Sequence, residues 1–200
     1  MNPRHLGDCL DYYKRWFLHD LLGLVDVAAI PMFSGEWLDA DKALYERMVG
    51  VTIIQHNDVP NRRDRLDYFL PATIPANAQK DIFLDPDTGF RIVTARPQRR
   101  QYSEYLFAEE VDVLLQTGSE RLAIIYDQSI SHGSELESAT LKLRELGHLG
   151  LHAFAYCAQV AMIAVSRSPS RVEQITQTVR CNEQIPQDRF RSTTETRNVA

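Results

Sequence analysis

The chain has 200 residues, 44% hydrophobic and 24% charged, with a net charge of −5 and a sequence pI near 5.7. That length predicts a single domain with a real core, and the charge balance excludes a globally basic nucleic-acid or membrane binder. Cys9, Cys157 and Cys181 are too few and too far apart for a disulfide framework or a C-x-x-C metal pair. A reducing cytoplasm, without membrane span or secretory signal, is therefore expected.

Asp8 to Leu22 reads as a helix with Asp8 as cap, a buried stripe of Leu10, Phe17, Leu18 and Leu21, and Gly23 as terminator. Leu24 to Phe33 is an apolar run of strand length that Pro31 interrupts. Asp39–Val49 is predicted helical, Val51–Gln55 a strand, and Arg62–Leu70 a short helix before Pro71 and Pro75. Asp81 to Leu84 is a buried strand running into Asp85.

A polar stretch with Arg91, Arg96, Arg99 and Arg100 follows, then a helix from Ser103 to Gln116. Arg121–Tyr126 is a strand, and Ser134 with Glu137 has the spacing of a capping box opening a helix that Gly147 closes. Leu151–Ser166 fits either a buried helix or two paired strands, because an all-apolar run has no deciding period. Two strands, Leu151–Cys157 and Val160–Val165, are preferred on length. A short helix near Val172–Val179 follows, and the composition predicts one domain over 1–180 with a loosely ordered tail over 181–200.

Repeated strand–helix units with continuous apolar strands predict an α/β fold: a Rossmann-like three-layer sandwich, mostly parallel, with an antiparallel C-terminal strand pair. Such sheets take ligands outside the carboxyl ends of their strands. The residues that follow the strands are Ser34, Gly35 and Glu36; then His56, Asn57 and Asp58; then Asp85, Pro86, Asp87, Thr88 and Gly89; then Asp127, Gln128, Ser129 and His132. Convergent carboxylates there would hold a divalent metal, Mg or Mn, through Glu36, Asp85 and Asp87, with Asp85, Asp87 and Asp127 as catalytic groups. Arg96, Arg99 and Arg100 would contact phosphate, and Tyr102 and Tyr105 would stack on a base. Asp, Asn, Ser and Gly also follow strands simply because they make turns and caps. Cys157, in an apolar run, reads as core.

The segment Phe83-Leu84-Asp85-Pro86-Asp87-Thr88-Gly89 resembles small, uncharacterised bacterial proteins with an F-L-D-P-D-[NT]-G strand end. They share an opening like Tyr12-Tyr13-Lys14-Arg15 and a strand like Ile124-Ile125-Tyr126-Asp127-Gln128. The resemblance implies a class I methyltransferase-like fold, through the late strand pair and an Asp-Pro turn where aminomethyltransferases carry Asp-Pro-Pro-Tyr. Against S-adenosylmethionine, Asp87 and Thr88 replace the second Pro and the aromatic, and no G-x-G loop follows the first strand.

The same turn is similar to the D-x-D of Toprim-type nucleases, with Glu36, Asp85 and Asp87 in the metal places. It is also similar to haloacid-dehalogenase phosphatases, with Asp85 as nucleophile, Asp87 as acid and Ser129 after the next strand. The expectation drawn from these features is a metal-dependent phosphotransfer or phosphodiester enzyme on a nucleotide or nucleic acid. The alternatives are a methyltransferase-like protein, active or degenerate, and a non-catalytic Rossmann-like binding or assembly subunit. Residue pattern leaves enzyme status and oligomeric state open.

Overall fold

A computed structural model describes the chain except residues 1–2, 4–5, 34–35, 56, 58, 61–64, 71–80, 93–101, 119, 131–132 and 195–200. A seven-stranded sheet has the order β2-β1-β3-β6-β8-β7-β9. Its strands are β1 (Val27–Ile30), β2 (Thr52–Ile53), β3 (Asp81–Leu84), β6 (Leu122–Asp127), β7 (His152–Cys157), β8 (Ala161–Ser166) and β9 (Phe190–Ser192). The first four pair in parallel, and β8 runs antiparallel between β6 and β7. A separate parallel pair joins β4 (Gly89–Arg91) to β5 (Tyr105–Phe107).

The helices are α1 (Cys9–Arg15), α2 (Asp39–Val49), α3 (Arg65–Phe69), α4 (Ala108–Leu114), α5 (Glu135–His148) and α6 (Pro169–Arg180). Strand alternation splits the core in two. One face carries Ile82, Leu84, Ala123 and Ile125 and packs with residues of α4 and α5. The other carries Phe83, Ile124, Tyr126 and Phe154 and packs with residues of α2, α6 and the N-terminal helix. This is the expected α/β Rossmann-like sandwich, with helices on both faces of a mostly parallel sheet.

Several boundaries differ from the sequence reading. Asp8 does cap α1, accepting from the Leu10 N–H at 2.8 Å, but the helix widens to a π-helix over Trp16–Leu21. The all-apolar run resolves as two strands, with Ala158 N–H donating to the Val160 carbonyl at the turn. The helix expected from Ser103 begins only at Ala108, because Tyr105–Phe107 pairs with β4 instead, and Glu110 rather than Ser103 holds its start, accepting from the Phe107 N–H at 3.0 Å. The Ser134 side chain makes no capping bond to α5. Within the segment 181–200 that composition predicts to be a loose tail, β9 pairs with β7 and buries Phe190 against Phe154 and Tyr156.

Candidate functional site at the carboxyl edge of the sheet

The chain leaves β1 towards β2 on one side and returns to β3 on the other. The crevice between the carboxyl ends of β1 and β3 is therefore the switch point where open α/β sheets take ligands. Pro31, Met32 and Phe33 follow β1, all buried, and Met32 holds a left-handed φ of 49°. Trp37 packs on Phe33 with ring centroids 4.6 Å apart. Asp85 follows β3, and its N–H donates to the Ile30 carbonyl at 3.2 Å.

Asp85 is 1% exposed. Its Oδ2 accepts from Lys14 Nζ at 2.8 Å and from the Tyr45 hydroxyl at 2.9 Å. Lys14 Nζ also donates to Asp11 Oδ1 at 3.1 Å and stands 4.4 Å from the centre of the Tyr126 ring. Asp11 Oδ2 in turn accepts from the Gly7 N–H at 2.8 Å. Lys14 thus reaches from α1 into the switch-point crevice and is itself buried there. Burial pulls its pKa down, but Asp85 and Asp11 outweigh that, and the net shift is upward. The ammonium is a fixed cation, not a base.

Tyr45 is pushed well above the ordinary phenol range, first by burial and then by Asp85. Tyr13 and Tyr126 are also raised, mainly by burial, and both hydroxyls are buried without a hydrogen-bond partner among the described residues.

Asp127 ends β6 and is fully buried. In the β3–β6 register Leu84 lies opposite Ile125, so the next pair is Asp85 with Tyr126, and Asp127 falls one residue further. Consecutive strand residues face opposite ways. Asp85 therefore turns to α1 and α2, while Asp127 turns to α5 and takes Lys142 Nζ at 2.5 Å. Asp127 Oδ1 accepts from the N–H groups of Phe90 at 2.9 Å and Ser129 at 3.0 Å.

Lys142 also donates to Ser129 Oγ at 2.9 Å and to the Ser129 carbonyl at 3.1 Å. A Lys that donates to the serine oxygen is set the wrong way round to deprotonate it. This second cluster is a clamp between β4, β6 and α5.

The remaining expected residues disperse. Glu36 is exposed and Asp87 half-buried. Among the described residues no three His, Cys, Asp or Glu side chains gather to hold a metal ion, Glu36, Asp85 and Asp87 included. With Asp85 taken up by Lys14 and Tyr45, this donor set does not fit a divalent cation, which wants several convergent free oxygens. Arg96, Arg99 and Arg100 lie outside the described residues, as do His56, Asp58 and His132. Arg91 is described, with its guanidinium 4.8 Å over the Tyr105 ring.

Cys157 is core as expected, its thiol pushed up to about 11 by burial and then by Asp127, which makes it a poor nucleophile at neutral pH. The turn after β1, where such sheets take a cofactor, begins with three buried residues. Pro31 offers no N–H, and Met32 and Phe33 are packed inward.

Comparison with family models, curated proteins and solved structures finds no match to this chain. The reading of the site therefore rests on its own geometry.

Sequence reasoning missed Lys14, Tyr45 and Lys142. Lys14 and Lys142 have one findable signal: each sits on the buried stripe of an amphipathic helix, where an unpaired lysine is rare.

Proposed function

We propose that the chain is a degenerate methyltransferase-like protein: a Rossmann-like scaffold that serves as a binding or assembly subunit, with its switch-point crevice filled by its own side chains. The observation that carries this reading is Lys14 seated on Asp85 between β1 and β3. An internal cation and a tyrosine hydroxyl occupy the place where such sheets take a ligand. The antiparallel β8 between β6 and β7 supports the methyltransferase likeness. Exposed Tyr12 and Trp16, four residues apart on the outer side of the first helix, supply the aromatic residues that protein partners favour. The metal-dependent phosphotransfer reading draws no support from this geometry, because its two strand-end aspartates face opposite sides of the sheet and each meets its own lysine.

The test is the melting temperature with manganese and, separately, with S-adenosylmethionine, on wild type and on Asp87→Asn. A ligand of the folded state alone must raise it. No shift with either is the expected result. A manganese shift that vanishes in Asp87→Asn would restore the metal enzyme, and a shift with S-adenosylmethionine would make the scaffold an active cofactor binder.

A further inference from the structure

The outer side of α2 is acidic at one end and basic at the other. Asp39, Ala43 and Arg47 follow at intervals of four residues and are all exposed, so they share one face of the helix. Asp39 and Arg47 lie about 12 Å apart along its axis. Ala43, midway between them, leaves room for another backbone to come close. Among the described residues, neither Asp39 nor Arg47 has an ion-pair partner.

Each end also carries apolar surface. Leu38, just before Asp39, is 68% exposed. At the basic end, Arg15 of the first helix donates to the Arg47 carbonyl at 3.1 Å, which sets the Tyr12–Trp16 ridge beside the end of α2. Tyr12 is 62% exposed. One end therefore offers a lone apolar side chain beside an acid. The other offers aromatic rings beside two arginines.

Two such faces are complementary when turned end to end. A two-fold axis near Ala43, perpendicular to α2, runs the two α2 helices antiparallel. It brings Asp39 to Arg47 of the partner subunit, and Leu38 to the ridge formed by Tyr12 and Trp16 of the partner subunit. Such a contact is isologous and closes at two copies. A nucleic acid or an acidic peptide would use the arginines and the rings but leave Leu38 and Asp39 unmatched. We propose that this face docks on a second copy of the chain, through reciprocal Asp39–Arg47 pairs and with Leu38 seated on the aromatic ridge. The proposal rests on the binding-or-assembly reading and names its partner.

The experiment is sedimentation equilibrium of the full chain at low salt, from micromolar to sub-millimolar protein, because a face built from two helices makes a small interface. Wild type should form a dimer. Asp39→Arg and Arg47→Asp should each weaken association about tenfold or more, since each sets like charges opposite one another twice. An equimolar mixture of the two variants should associate as wild type does, because every pair across the two-fold is again opposite in charge. Leu38→Ser should weaken the dimer with all charges in place, and added salt should weaken it in wild type. These side chains are exposed, so far-UV circular dichroism should match wild type throughout. A wild type that stays monomeric at sub-millimolar concentration, a dimer indifferent to Asp39→Arg and Arg47→Asp, or a mixture no stronger than its single variants would each overturn the assignment. A monomer whose melting temperature also ignores manganese and S-adenosylmethionine would remove the second copy alone and leave the scaffold reading in place.

Discussion

Gly89 holds a φ of +128°, and a Cβ there would stand 2.3 Å from Asp127 Oδ1 and 2.8 Å from the Ser129 nitrogen. The glycine that closes the Asp85-to-Gly89 turn thus lets β4 press against the end of β6, so that Asp127 can accept from the Phe90 N–H. Gly89→Ala should lower stability by about 3 kcal/mol, read by urea denaturation, because strain and clash act together. Wild-type stability in that variant would remove Gly89 from the account.

Tyr13, Tyr45 and Tyr126 all have raised pKa values, and the sign of the pH effect follows. A group whose folded pKa exceeds its unfolded value near 10 contributes fully below pH 10 and loses that contribution as pH rises further. Stability should therefore fall from about pH 10 upward, more steeply than one tyrosine can account for. Tyr126→Phe should flatten that fall. At neutral pH it should be neutral or stabilising, since it removes a buried hydroxyl that has no partner among the described residues. A loss of about 1 kcal/mol or more at pH 7 would mean that the hydroxyl is bonded after all.

Among the elements, β9 carries the largest correction. Polar composition hides it, because one short edge strand needs only Phe190 to point inward, and Phe190 is 3% exposed. Phe190→Ala should cost about 3 to 4 kcal/mol, and thermal denaturation would show it. A cost below about 1 kcal/mol would return the segment to the tail.

The alternation of strands and helices was legible in the sequence because apolar runs of strand length, such as Leu122–Tyr126, lie between segments with a helical stripe. The β4–β5 pair was not, since three-residue strands such as Gly89–Arg91 carry no period. Asp85 and Asp127 were legible as buried strand ends. Their partners were not, because Lys14 and Lys142 meet them only through tertiary packing, 71 and 15 residues away. For the same reason a row of strand-end acids read as one cluster. One residue of register sends neighbouring acids to opposite faces.

Among the described residues, three buried ion pairs join distant segments: Lys14 with Asp85, Lys142 with Asp127, and Arg65 with Glu110. The first two tie a helix to the carboxyl edge of the sheet, and the third joins α3 to α4, with Arg65 also donating to the Tyr105 carbonyl of β5 at 2.6 Å. Burial pushes the Glu110 carboxyl up, and Arg65 and the Phe107 N–H only partly offset that. Under the proposed binding role, the exposed Tyr12–Trp16 ridge would be the surface that meets a partner. At the edge that serves as an open reaction face in many α/β sheets, the buried acids Asp85 and Asp127 are each paired with a lysine of the chain itself.

The most direct test of that claim is a double-mutant cycle on Lys14→Met and Asp85→Asn, with unfolding free energies from urea denaturation. Each single change should cost about 3 to 5 kcal/mol by leaving a buried partner uncompensated. The double variant should cost clearly less than the sum, with a coupling of about 1.5 kcal/mol or more. Additive costs, or a Lys14→Met variant as stable as wild type, would contradict the account by showing Asp85 unengaged and open to a ligand.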